Sequence, residues 1–139
     1  MVAMSDSSLC PFSKPVIGQW CRCQHAILAE RCSGKVACGR AEYRPACVEL
    51  VSLFKQHSRF VLGLASEDAP LTHAQSMRIR CGGLLGMQRL LQPTVADRPC
   101  VRDMIAGAEQ RFGQLSAFPF NDIIRDISRF SHRKKLRQN

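Results

Sequence analysis

Eight of the 139 residues are cysteine, and six of those eight fall between Cys10 and Cys47. Cys10, Cys21, Cys23, Cys32, Cys38 and Cys47 are separated by ten, one, eight, five and eight residues. So many thiols in one short region suit the gripping of inorganic material, because the thiolate is the metal ligand of choice for soft and borderline ions. Four chemistries compete: disulfides, structural zinc, an iron–sulfur cluster, and cysteines that merely fill space as small apolar residues. The start Met-Val-Ala-Met-Ser-Asp has neither a basic stretch nor an apolar run. It predicts a cytoplasmic chain, where disulfides are rare. Zinc sites usually carry paired Cys-x-x-Cys knuckles, and that spacing occurs nowhere in the chain. A cubane cluster is larger than one ion and draws about four thiolates from scattered short elements. The sequence therefore predicts a 4Fe-4S iron–sulfur cluster, with zinc as the alternative.

The expected ligands are Cys10, Cys21, Cys32 and Cys38, with Cys47 as the substitute at a helix start, where the dipole favours a thiolate. Gly34 and Lys35 beside Cys32 would offer a turn of backbone N–H groups and a cation, and Arg31, Arg40 and Arg44 would add positive charge. Cys23 is a weaker candidate. In a helix over residues 19–31 it would point about 200° away from Cys21, since each residue turns the helix by roughly 100°. Cys21 and His25 would share a face, which makes His25 a candidate ligand or proton carrier. Cys81 and Cys100 lie on apolar helical faces and read as core. His57, His73 and His132 read as surface or partly buried polar residues. No HExxH, GxSxG or paired-carboxylate pattern stands out, so the expected role is not enzymatic.

Positioning these thiols requires a scaffold. Cys47, Leu50, Val51, Phe54, Val61 and Leu64 form one apolar stripe behind Pro45, which predicts an amphipathic helix. Thr72 and Gln75 form a capping-box signature ahead of Ala74, Met77, Cys81, Leu84, Leu85 and Leu91. Asp97 is an expected N-cap, with Pro99 in the first turn of a helix that buries Val101, Met104, Ile105, Ala108 and Phe112 and stops at Gly113. Asn121 is expected to cap a fourth helix, with Ile123, Ile124, Ile127 and Phe130 inward. Residues 1–18 read as an irregular lead-in, residues 19–31 as a helix, and no segment reads as a strand. The expected fold is mainly α: a Cys-rich irregular or helical segment (residues 1–46) packed on a small four-helix bundle (residues 47–139). Three glycines inside Cys81-Gly82-Gly83-Leu84-Leu85-Gly86 cost about 1 kcal/mol each in a helix. They predict either a helix break at Gly82-Gly83 or a close approach by a neighbouring backbone or cofactor.

The chain carries a net charge of +9. Most of the excess lies beyond residue 70, and in the last stretch, residues 125–139, Arg125, Arg129, Arg133, Lys134, Lys135 and Arg137 are offset only by Asp126. A basic C-terminal helix suits an acidic protein surface or nucleic acid. No apolar run reaches the 18–20 residues of a membrane span. In layout, Cys32-x5-Cys38 followed by Cys81-Gly82-Gly83-Leu84-Leu85-Gly86-Met87-Gln88-Arg89 resembles the WhiB-like iron–sulfur regulators. The Cys-x-x-Cys and the tryptophan-containing glycine turn of that family are absent, so the resemblance is one of layout and not of membership. The sequence thus predicts an accessory electron-transfer protein, or a cluster-bearing subunit, that docks on a larger redox enzyme through its basic face. Its alternatives are a redox-sensing DNA-binding regulator and a zinc-stabilised interaction module.

Overall fold

The computed structural model describes residues 9–28, 36–66 and 68–131. Cys32, Arg31, Lys35, His132 and the basic residues Arg133, Lys134, Lys135 and Arg137 lie outside the described residues. The protein is mainly α. Among the described residues the helices are α1 (Ser13–Ile17), α2 (Arg44–His57), α3 (His73–Met77), α4 (Gly83–Leu91), α5 (Val101–Phe112) and α6 (Ile124–Arg129). A π-helical turn, Arg78–Gly82, joins α3 to α4 into one long helix.

Local signals set several of these ends. Pro45 sits in the first turn of α2, where its missing N–H costs nothing. Thr72 and Gln75 close the expected capping box at α3, with the Gln75 N–H donating to Thr72 Oγ1 at 3.1 Å and the Thr72 N–H to Gln75 Oε1 at 2.9 Å. Gly113 ends α5 with φ of 89°, a left-handed conformation that glycine tolerates best. Other expectations are corrected. Asp97 is not the cap of α5, whose N-cap is Cys100; Asp97 instead accepts from the Arg98 N–H and pairs with Arg22 at 3.4 Å. Asn121 does not cap α6 but lies in a 3-10 turn, Phe120–Ile123. The first stripe stops at His57, so Val61 is exposed, and Leu85 and Phe112 also face outward.

The glycine expectation resolves in favour of close approach without a break. A Cβ on Gly82 would stand 2.7 Å from Ile127 Cα, one on Gly86 2.6 Å from Ile123 Cβ, and one on Gly83 2.6 Å from the Phe54 ring. Gly82 and Gly86 thus let α6 and the turn before it lie against the long helix, and Gly83 admits α2. Phe54, Leu50, Ile79, Leu84, Met87, Met104, Ile105, Ile123 and Ile127 form the core around these contacts.

The N-terminal third departs most from expectation. Within the expected helix 19–31, the described residues 19–28 are not helical, and the lead-in is not wholly irregular, since α1 lies within it. Gln19 sits at φ of 65°, and the chain then runs extended. The Arg22 N–H donates to Pro99 O at 2.9 Å and the Val101 N–H to Arg22 O at 2.8 Å. This pairing supplies the backbone bonds a helix would have made, and tertiary context overrides a weak helical pattern. Two short strands follow, contrary to the expectation of none. β1 (Ala26–Leu28) and β2 (Val36–Cys38) are antiparallel, with Ala26 opposite Cys38. Leu9 bridges to Ala37 on the other edge of β2, and the Cys10 N–H donates to Val36 O at 2.8 Å.

Candidate metal centre

Four segments distant in sequence bring cysteines to one small hollow. Cys10 comes from the strand-like start, Cys23 from the segment paired with Pro99–Val101, Cys38 from the end of β2, and Cys47 from the first turns of α2. Pro11, His25, Ala26, Tyr43, Val101 and Arg102 complete the wall. The free space is about 10 Å³, enough for one water-sized body. Among the described residues, no three His, Cys, Asp or Glu side chains stand close enough as placed to hold a metal ion. The thiols ring the hollow; they do not close on a point.

Backbone donors face two of the four sulfurs. The Phe12 N–H donates to Cys10 Sγ at 3.4 Å, and the N–H groups of His25 and Arg102 face the Cys23 sulfur. Cys10 thus receives the N–H two residues on. Arg102 lies in the first turn of the 12-residue α5, where N–H groups lack helical partners and the dipole is positive. Cys38 donates its S–H to Arg40 O at 3.1 Å. Burial dominates the thiols: it pushes Cys10 up to about 11 and Cys47 up to about 12, and it raises Cys23 as well. Nearby positive charge works the other way, with Arg44 acting on Cys10 and Arg102 on Cys47.

The cations themselves are fixed in place. Arg44 Nε donates to Leu9 O at 2.8 Å. The Arg102 guanidinium stacks over Tyr43 with its carbon 4.3 Å from the ring centre, and His25 stacks on Tyr43 at 5.0 Å. Arg102 Nη1 is buried without a hydrogen-bond partner among the described residues. A buried guanidinium N–H left without an acceptor beside a thiol-lined hollow is a donor in place for an anion.

Of the expected ligands, the structure brings Cys10, Cys38 and Cys47 together. Cys32 lies outside the described residues. Cys21 does not line this hollow; it is buried, its thiol is raised chiefly by desolvation, and its thiol neighbours are, in order of effect, Cys81, Cys10, Cys23 and Cys100. Cys81 and Cys100 are buried, as expected of core residues. Cys23 takes the place that the helical reading gives to Cys21, and His25, which that reading sets on the face of Cys21, lines the hollow with Cys23 instead. That reading failed because the segment is extended, and no signal short of the pairing with Pro99–Val101 would have shown it. His57 stacks on Phe120 at 4.9 Å, away from the hollow.

A separate groove of about 640 Å³ runs between α4 and α6, lined by Arg89, Arg125 and Arg129 with Asp122 and Asp126. Arg89 pairs with Asp126 at 2.7 Å. Arg125 and Arg129 have no carboxylate partner among the described residues. No helix among those residues is long and apolar enough to cross a membrane. Comparison with protein-family models, curated proteins and solved structures returned no match to this chain.

Proposed function

We propose that the hollow holds an iron–sulfur cluster through Cys10, Cys23, Cys38 and Cys47, and that the protein is a small accessory subunit that carries the cluster for electron transfer. The observation that carries this reading is the convergence of four cysteines, from four separate segments, on one hollow faced by the start of α5 and by Arg102. Four thiolates and an inorganic cluster form an anionic centre, and N–H groups, a helix N-terminus and guanidinium groups are the neighbours that stabilise one. Sulfurs spread around a space suit a cluster better than a single ion, whose four ligands must close to tetrahedral distance. The hollow would have to open by side-chain rotation to admit the cluster.

The thiols give no support to nucleophilic catalysis. A catalytic cysteine needs a depressed pKa, and burial moves Cys10, Cys23 and Cys47 in the opposite direction. The basic groove at α6 would meet an acidic face of the larger redox enzyme, where charge complementarity speeds encounter.

Zinc is the second reading, and the observation in its favour is the small free volume of about 10 Å³. Metal and sulfide analysis of protein purified without oxygen separates the two. Iron with equimolar inorganic sulfide supports the cluster; stoichiometric zinc without sulfide replaces it with a structural ion. A DNA titration across salt tests the regulator: affinity that differs between metal-loaded and metal-free protein would favour it over an electron carrier.

A further inference from the structure

The long helix contributes no side chain to the hollow's wall, yet it reaches the Cys10 turn. From the π-helical turn Arg78–Gly82, Arg80 extends its partly buried side chain to the N-terminal segment, and Nε donates to Pro11 O at 2.7 Å. Its Nη1 donates to Ser76 Oγ, one turn earlier. Pro11 is the residue between Cys10 and Phe12, and the Phe12 N–H is the donor to Cys10 Sγ. We infer that Arg80 is a positioning residue of the thiol hollow: it clamps the Pro11 carbonyl and thereby holds the Cys10 sulfur beneath the Phe12 N–H.

Three observations support this role over a purely structural one. The π-helical turn is where the helix departs from α geometry, and such turns re-aim side chains and recur at functional sites. Here the same helix must turn Gly82 and Gly86 toward Ile127 and Ile123 while sending Arg80 to the Cys10 turn. Second, no carboxylate pairs with Arg80 among the described residues. A desolvated cation is costly unless compensated. Third, the guanidinium divides its donors between Pro11 O and Ser76 Oγ, which fixes it against the Cys10 turn. An anionic centre that includes Cys10 would compensate the cation. That consequence rests on the metal-centre reading above; the clamp on Pro11 does not.

The test uses the full chain with Arg80→Met and Arg80→Lys, each first shown by circular dichroism to be folded. In metal-free protein, amide exchange at Phe12 is followed beside that at Ile105 in the apolar core. Arg80→Met removes the donor to Pro11 O and should speed Phe12 exchange about threefold or more, with Ile105 unchanged. Arg80→Lys keeps the charge and one donor, and should recover part of the Phe12 protection. In metal-loaded protein, Arg80→Met should lower the reduction potential and Arg80→Lys should leave it near that of the unsubstituted chain. Equal changes at Phe12 and Ile105, or no change at either, would overturn the proposal. If the unsubstituted chain binds no metal, the cluster reading fails while the exchange arm still judges Arg80.

Discussion

Two regions of this protein solve the problem of close approach in opposite ways. Where the long helix meets α6 and α2, side chains are deleted: Gly82, Gly83 and Gly86 let a backbone, a phenyl ring and an isoleucine come within contact. Around the hollow, side chains are kept, and four of them are thiols with backbone N–H groups and guanidinium groups at their backs. The first region is complete as an apolar core. The second combines short strands, an extended staple and a hollow whose polar neighbours include a buried N–H without an acceptor. The difference teaches that the helical region packs as an apolar core in its own right, whereas the N-terminal region, on the function proposed above, would be arranged around a cluster.

The comparison breaks most visibly at Phe54, which is fully buried against Gly83 and Phe120. Phe54→Ala should cost about 3–5 kcal/mol in denaturant unfolding, and by the same amount with or without metal. An equal loss from Cys47→Ser in metal-free protein would erase the distinction between the regions.

The thiols should behave differently. Cys23→Ser and Cys38→Ser should abolish bound metal and remove the stability it confers, about 4 kcal/mol when free metal stands a thousandfold above Kd. Neither substitution should change metal-free stability by more than about 1 kcal/mol. Cys100→Ser should leave metal content intact. Metal retained by Cys23→Ser but lost from Cys21→Ser would return Cys21 to the ligand set.

Overfilling sharpens the other side. Gly83→Ala places a methyl group on the Phe54 ring and should cost about 1–3 kcal/mol, read as a lower Tm with metal content unchanged.

The pH dependence follows from the raised thiols. A thiol raised in the folded state binds its proton more tightly there than in the unfolded chain. Its contribution is complete below the ordinary value of 9.0 and is lost as pH climbs through about 11 for Cys10 and about 12 for Cys47. Metal-free protein should therefore weaken between pH 9 and 12. Metal-loaded protein, with its thiols already ionised, should weaken less there and instead lose metal on acidification. Parallel alkaline profiles for the two forms would argue against ligation by these thiols. The smallest effect expected is at the rim of the basic groove, where Arg89→Ala should change stability by about 1 kcal/mol or less because the Arg89 side of its pair with Asp126 is half-exposed.

The bundle was legible because its signals are local. A capping box, a proline in a first turn and a glycine past a helix end each act within a few residues, and apolar spacing marks which face is buried. The hollow was legible only in part. Cysteine density pointed to the region and named Cys10, Cys38 and Cys47, but which of Cys21 and Cys23 faces the hollow depended on whether the chain after Gln19 coils or extends. It extends through hydrogen bonds between Arg22 and both Pro99 and Val101, partners nearly eighty residues away that no local pattern encodes. Arg80 was hidden for the same reason: its bond to Pro11 spans 69 residues.

The central claim is tested most directly by counting iron, acid-labile sulfide and zinc per chain in full-length protein purified without oxygen, with Cys23→Ser beside it. The account predicts iron and sulfide in equal amounts, about four of each for a cubane, and neither in the variant. A folded protein with no iron, sulfide or zinc, matched by an unchanged variant, would contradict it.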